Sequence, residues 1–218
     1  MQRIESGKRF LARMVRAARL AVTGQWRQLL YGSWVILRGL DFATVSVEDL
    51  GLSKERSEYY STSGGPDLER VFRALEIKPT DRIIDVGCGK GAAIITLAKF
   101  PFAKIAGVEV SPELIRVAEA NFERLGLHGI ELHCCDATVF RDYDEYSFVY
   151  FFNPFKGPVM TPVVENLAAS LKRRPRRLTI VYYYPICRDM LVSGGFEKVR
   201  EFNHAPLPFA VYVNIGTK

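Results

Sequence analysis

The spacing of hydrophobic residues changes period several times along the chain. In FLARMVRAARLAV, Arg9, Arg13, Arg16 and Arg19 recur three or four apart, while Leu11, Met14, Val15, Ala18 and Val22 fall on another face, which is helical period. QWRQLLYGSWVILRG repeats the pattern around Trp26, Leu29, Leu30 and Leu37, so residues 1–40 are predicted to hold two helices. SVEDLGLSKERSEYYSTSGGP, with its Ser and Gly, follows as a mostly irregular connector. From residue 67 the pattern alternates between the two periods. DLERVFRALEI, KGAAIITLAKF, SPELIRVAEANFERLG, PVMTPVVENLAASLKRR and a short stretch near 186–193 predict helices, with Ser111 as N-cap and Pro112 at the first helical position. Between and after them RIIDVG, KIAGVEV, IELHCCD, SFVYFFN, RLTIVYYY, FEKVREF and FAVYVNIG predict strands.

Strands that alternate with helices imply an α/β fold, a doubly wound and mostly parallel sheet covered on both faces. Only NHAPLP separates the last two strands, too short for a crossover helix, so they are expected to pair antiparallel at an edge. At 218 residues and 48% hydrophobic the chain suffices for one sizeable core, which leads to a division into a basic helical N-terminal extension with connector (1–60) and one α/β domain (61–218).

Charge sharpens that division. Residues 1–40 carry eight Lys and Arg against the single acid Glu5, whereas the whole chain is only +6, so the basic character belongs to the N-terminal extension. Such a segment suits packing onto the domain, a dimer contact, a membrane surface with Trp26 and Trp34 at the interface, or nucleic-acid phosphates. KRRPRR at 172–177 reads as a solvated helix end, with a nucleic-acid contact as the alternative. Cys88, Cys134, Cys135 and Cys187 form no CxxC pair and the three histidines are scattered, so neither a metal site nor a disulfide framework is expected. Reduced thiols, no secretory h-region and no uncharged run near 18 residues lead to the expectation of a cytoplasmic protein.

The candidate chemistry sits in RIIDVGCGKG, where a strand runs into Gly87, Gly89 and Gly91 and then a helix. Glycines there permit a tight turn and a ligand's approach to the backbone at the carboxyl end of the sheet. GCGKGA also fits the dinucleotide pattern GxGxxA, so this turn alone does not separate a nicotinamide cofactor from other adenosine cofactors. Asp85 near the end of the first strand, Glu109 at the end of the second and Asp136 after the third place acids at three successive strand ends. With Lys90 as the one cation in the turn, that arrangement suits adenosine joined to a positive centre. Asp136 also reads as a loop cap, and Asp85 as a brace for the turn.

DVGCGKG, GVEVSPELIRVAEAN, CCDA and FFNPF, in that order and spacing, resemble the class I S-adenosylmethionine-dependent methyltransferases from about residue 67 to 218. The resemblance implies a seven-stranded sheet whose last strand is antiparallel, and S-adenosylmethionine as cofactor. Asp85, Gly87, Gly89 and Gly91 would line its methionine part, Glu109 its ribose, and Asp136 with Ala137 its adenine. Tyr60 and Thr62, just before the first core helix, would belong to a lid over the cofactor. Asn153, Pro154 and Phe155 resemble the Asn-Pro-Pro-aromatic segment of N-methyltransferases with one proline missing, and most closely that of lysine methyltransferases without a SET domain and small bacterial proteins like them. The acceptor implied is an amine on a protein or small molecule. A nucleic-acid base N-methyltransferase and a non-catalytic cofactor-binding regulator are the alternatives. The bare residues also allow Asn153–Phe155 to be a strand-end turn with Phe155 packed inside.

Overall fold

A computed structural model of the chain describes residues 26–45, 63–152 and 157–215. The chain divides into two compact units, Met1–Leu40 and Asp41–Lys218. In the first, helix α1 (Trp26–Leu37) ends in a Schellman turn: Gly39, at φ +63°, donates to Ile36 O and Leu40 donates to Val35 O. The helix buries none of its own residues. The other expected N-terminal helix, around 9–22, lies outside the described residues. No helix among the described residues is long and apolar enough to cross a membrane.

The second unit is built on a seven-stranded sheet. Its strands are β1 (Arg82–Val86), β2 (Lys104–Glu109), β3 (Ile130–Cys134), β4 (Phe148–Phe152), β5 (Thr179–Tyr183), β6 (Phe196–Phe202) and β7 (Phe209–Asn214), in the spatial order β3-β2-β1-β4-β5-β7-β6. The first five run parallel. The last two pair antiparallel as expected, with β7 inserted between β5 and the edge strand β6. Edge strand β6 carries Glu197, Lys198, Arg200 and Glu201 exposed and is bulged between Lys198 and Arg200, which blunts it against pairing with another chain.

Side-chain alternation along the strands splits the core in two. Ile83, Phe148, Tyr150, Val181 and Phe209 meet helices α2 (Pro66–Arg73) and α3 (Ala92–Leu97) on one face. Ile84, Val149, Ile180 and Tyr212 meet α5 (Gly157–Arg173) and α6 (Arg188–Ser193) on the other. Helix α4 (Pro112–Arg124) packs along β2 and β3, begun as the sequence predicts by the Ser111 hydroxyl accepting from Leu114 N at 3.3 Å with Pro112 first in the helix.

Candidate active site

Strand order reverses direction between β1 and β4, which opens a crevice at their carboxyl ends, the usual ligand position in such sheets. β1 delivers the glycine turn to that crevice. The backbone reverses there through Gly87, Gly89 and Gly91 at φ +85°, +53° and +80°, a conformation costing other residues about 1–2 kcal/mol each. Gly87 N and Cys88 N both donate to Val108 O, at 2.8 and 3.0 Å, and Gly91 N donates to Cys88 O at 3.0 Å, so the turn is tied to β2 and closed on itself.

Gly91 has a second reason to be glycine. A Cβ there would lie 2.5 Å from the Phe122 ring of α4, so its missing side chain admits a neighbouring helix as well as a ligand. Gly107 plays the matching part in β2, where a Cβ would lie 2.6 Å from Cys88 Sγ. Cys88 is packed in that contact, and burial followed by the charges of Asp85 and Glu109 drives its thiol well above the usual range, which keeps it protonated.

Glu109 closes the turn from the other side. Its Oε2 accepts from Gly89 N at 3.1 Å and its Oε1 from Ser111 N at 2.9 Å. With the backbone N–H groups of Gly89, Ser111 and Val110 acting on it, the carboxylate keeps about one of its roughly four acceptor positions for a hydroxyl donor. Burial raises the Glu109 carboxyl above its ordinary range, against the pull of these backbone N–H groups. Asp85 stands on the face of β1 that carries Ile83, opposite Tyr150 of β4 in register, and is almost wholly buried. Its carboxyl is pushed well up by burial first and by the Glu109 charge second. No Lys or Arg among the described residues pairs with either acid. Lys90, the turn's cation, engages Asp41 Oδ1 at 2.9 Å and Ala43 O at 3.0 Å instead. Among the described residues the crevice therefore holds two buried, neighbouring acids with no Lys or Arg paired to them, acceptors that fit a positively charged ligand carrying a hydroxyl group.

Asp136 lies two residues beyond β3, where its Oδ1 accepts from Thr138 N at 2.9 Å and Thr138 Oγ1 at 2.8 Å. It thus does cap the loop, and Ala137 behind it is buried in the core. Asn153, Pro154 and Phe155, and likewise Tyr60 and Thr62, lie outside the described residues. Phe152 ends β4, so the chain enters 153–156 at the carboxyl edge beside β1.

Next to it, Phe152 stacks on Tyr183 at 4.7 Å between ring centres and Tyr183 on Phe209 at 4.0 Å, an aromatic row on the face that carries Asp85. Of the tyrosines in VYYYP, Tyr182 is buried in the opposite core, Tyr183 joins this row, and Tyr184 is half exposed in a left-handed conformation at φ +57°. KRRPRR is solvent-exposed as expected at Lys172, Arg173, Arg174, Pro175 and Arg177, with Arg176 half-buried. Arg176 donates to Tyr146 O at 2.7 Å and Tyr143 O at 2.6 Å, and Arg173 to Asp144, so two of its arginines hold the loop before β4.

Sequence reasoning missed Asn121. It is fully buried on α4, where Oδ1 accepts from Asp41 N at 3.0 Å and Nδ2 donates to Asp41 O and Lys90 O, both at 3.1 Å. The signal was present: Leu114, Ile115, Ala118, Asn121 and Phe122 form one helical stripe, and an amide within such a stripe must have partners.

Residues 77–172 match the family model described as a methyltransferase domain. That stretch, under half of the chain, is therefore similar to a methyltransferase domain. Among curated proteins it is 41% identical over 63 residues to a protein-lysine N-methyltransferase of Saccharolobus islandicus, covering 28% of this chain and 39% of that one. It is 38% identical over 120 residues to a 23S rRNA (uracil(1939)-C(5))-methyltransferase of Xanthomonas euvesicatoria, covering 55% and 26%. The matched stretches thus span less than half of these relatives' length. Among solved structures, an RNA methyltransferase of Salinibacter ruber in complex with S-adenosyl-L-homocysteine superposes with a TM-score of 0.53 at 15% identity, covering 70% of this chain and 93% of that one, a likeness of fold. Within the matched stretch, the acid pair and the glycine turn lie at the carboxyl ends of β1 and β2, in the crevice described above. No group of His, Cys, Asp and Glu suited to a metal ion occurs among the described residues.

Proposed function

We propose that this protein transfers a methyl group from S-adenosylmethionine to nitrogen, on a protein lysine or another amine. The observation that carries the reading is the pair of buried acids, Asp85 and Glu109, beside a glycine turn whose one cation is engaged elsewhere. When bound, the cofactor supplies an electrophilic methyl group on a sulfonium. Glu109 takes a ribose hydroxyl on the acceptor position left by the backbone N–H groups of Gly89, Ser111 and Val110, and Asp85 balances positive charge nearby. By the resemblance of Asn153-Pro154-Phe155 to the N-methyltransferase segment, the Asn153 amide oxygen would accept an amine N–H and aim the nitrogen lone pair. Phe152, half-buried at the end of β4 and backed by the buried Tyr183 and Phe209, offers an aromatic face at the same edge, which favours a cationic amine. Methyl transfer needs alignment more than a strong base, although a lysine amine near its usual pKa of about 10.4 must lose its proton on entering the site.

The curated match to an rRNA methyltransferase and the basic first 40 residues favour a nucleic-acid base as the second reading. Calorimetric titration with S-adenosylmethionine is the test, followed by labelled-methyl transfer to lysine peptides and to RNA. Glu109→Ala is expected to weaken binding, and Asn153→Ala to lower transfer while binding persists. A folded chain with no affinity for the cofactor refutes the reading, and transfer to RNA alone selects the second acceptor.

A further inference from the structure

Within the glycine turn only two side chains can hold the backbone, those of Cys88 and Lys90, and the structure pins them on opposite sides. Cys88 packs against Gly107 and Ile94. Lys90 reaches back 49 residues in sequence, with its side chain only 4% exposed, to the Asp41 carboxylate and the Ala43 carbonyl. A buried ammonium requires partners of this kind. Asn121 completes the contact by taking both backbone groups of Asp41 and the Lys90 carbonyl on one amide. Asp41 is itself ordered by accepting from Ala43 N at 2.9 Å.

We infer that Asp41, Lys90 and Asn121 form a latch that positions the glycine turn for its ligand, making the segment 41–43 part of the cofactor site although it touches no ligand. The inference rests on the cofactor reading given above. Lys90 stands between Gly89, whose N–H meets Glu109, and Gly91, which begins α3. Glycines in left-handed conformations have no side chains with which to stiffen the turn, so the atoms that hold Lys90 also fix where the Gly89 amide and the Glu109 carboxylate meet. Because coupling between binding events is reciprocal, a ligand that prefers the fixed turn must also tighten segment 41–43. These are positioning residues, and their effect belongs in cofactor affinity.

The experiment titrates the full chain with S-adenosylhomocysteine by calorimetry and follows amide hydrogen exchange of residues 41–45 with and without it. Lys90→Met is expected to weaken binding about tenfold, the scale of one well-placed charged hydrogen bond, and Lys90→Arg to recover part of it. Asp41→Asn in the Lys90→Met background should add little, as residues of one network do not act additively. In the wild type the ligand should slow exchange at 41–45, and in Lys90→Met it should not. A purely structural lysine would lower stability without this change in ligand-dependent exchange. If Lys90→Met does not fold, Asp41→Asn, on a half-exposed side chain, is expected to give the same loss of affinity and of protection. A wild type that binds and a folded variant that binds equally well overturn the latch alone. A wild type that fails to bind removes the cofactor reading and the latch with it.

Discussion

Replacing Gly91 by alanine separates the two reasons for glycine in the turn. At φ +80° an L-residue pays strain of about 1–2 kcal/mol, and a Cβ placed 2.5 Å from the Phe122 ring adds an overpacking cost of about 1–3 kcal/mol, for a total of about 2–5 kcal/mol. Gly126 is the internal control: its φ is +63° and nothing lies within 4 Å of the position its Cβ would take. Gly126→Ala should therefore show the strain alone, about 1–2 kcal/mol. Urea denaturation of both variants isolates the packing contribution as their difference, provided that the slopes match the wild type. Phe122→Leu should then relieve part of the damage, so that its own cost largely disappears in the Gly91→Ala background. Equal losses at Gly91 and Gly126, or full additivity with Phe122→Leu, would refute the claim that α4 closes on the turn through this missing side chain.

Asp85→Asn should stabilise the ligand-free protein at neutral pH while weakening S-adenosylhomocysteine binding. Burial raises the Asp85 carboxyl in the folded state, so its contribution is favourable below the unfolded value of about 3.9 and is lost as pH rises through the folded value. The stability gain of the variant should consequently be largest near pH 7 and fade toward pH 4 in thermal melts, and a gain that grows on acidification would contradict the assignment. Arg176→Met removes the side-chain donor from Tyr146 O, while Tyr143 O keeps Tyr146 N, and should cost about 1–3 kcal/mol in urea, whereas exposed Arg174→Met should change little. Similar effects at both positions would refute the structural role of Arg176.

By itself the sequence determined the strands, the helices and the acids at their ends, because these depend on local periodicity and on residue types that few environments tolerate. RIIDVG and KIAGVEV are too apolar to be anything but buried strands, glycines at 87, 89 and 91 announce a turn, and Ser111-Pro112 announces a helix start. Antiparallel pairing of β6 and β7 was also legible, since six residues leave no room for a crossover. The placing of β7 inside the sheet was not, because strand order is set by which faces find cover and no local pattern encodes it. Other facts needed the folded chain for the same reason. Within the exposed KRRPRR, Arg176 stands out only once the loop before β4 presents its carbonyls to it, and Gly91 looks like ligand clearance until Phe122 is seen against it. Nothing near Asp41 suggests a role, since its partners Lys90 and Asn121 are 49 and 80 residues away. Sequence specifies which groups must be satisfied, and only tertiary structure decides by whom, because a hydrogen bond depends on distance in space and not on separation along the chain.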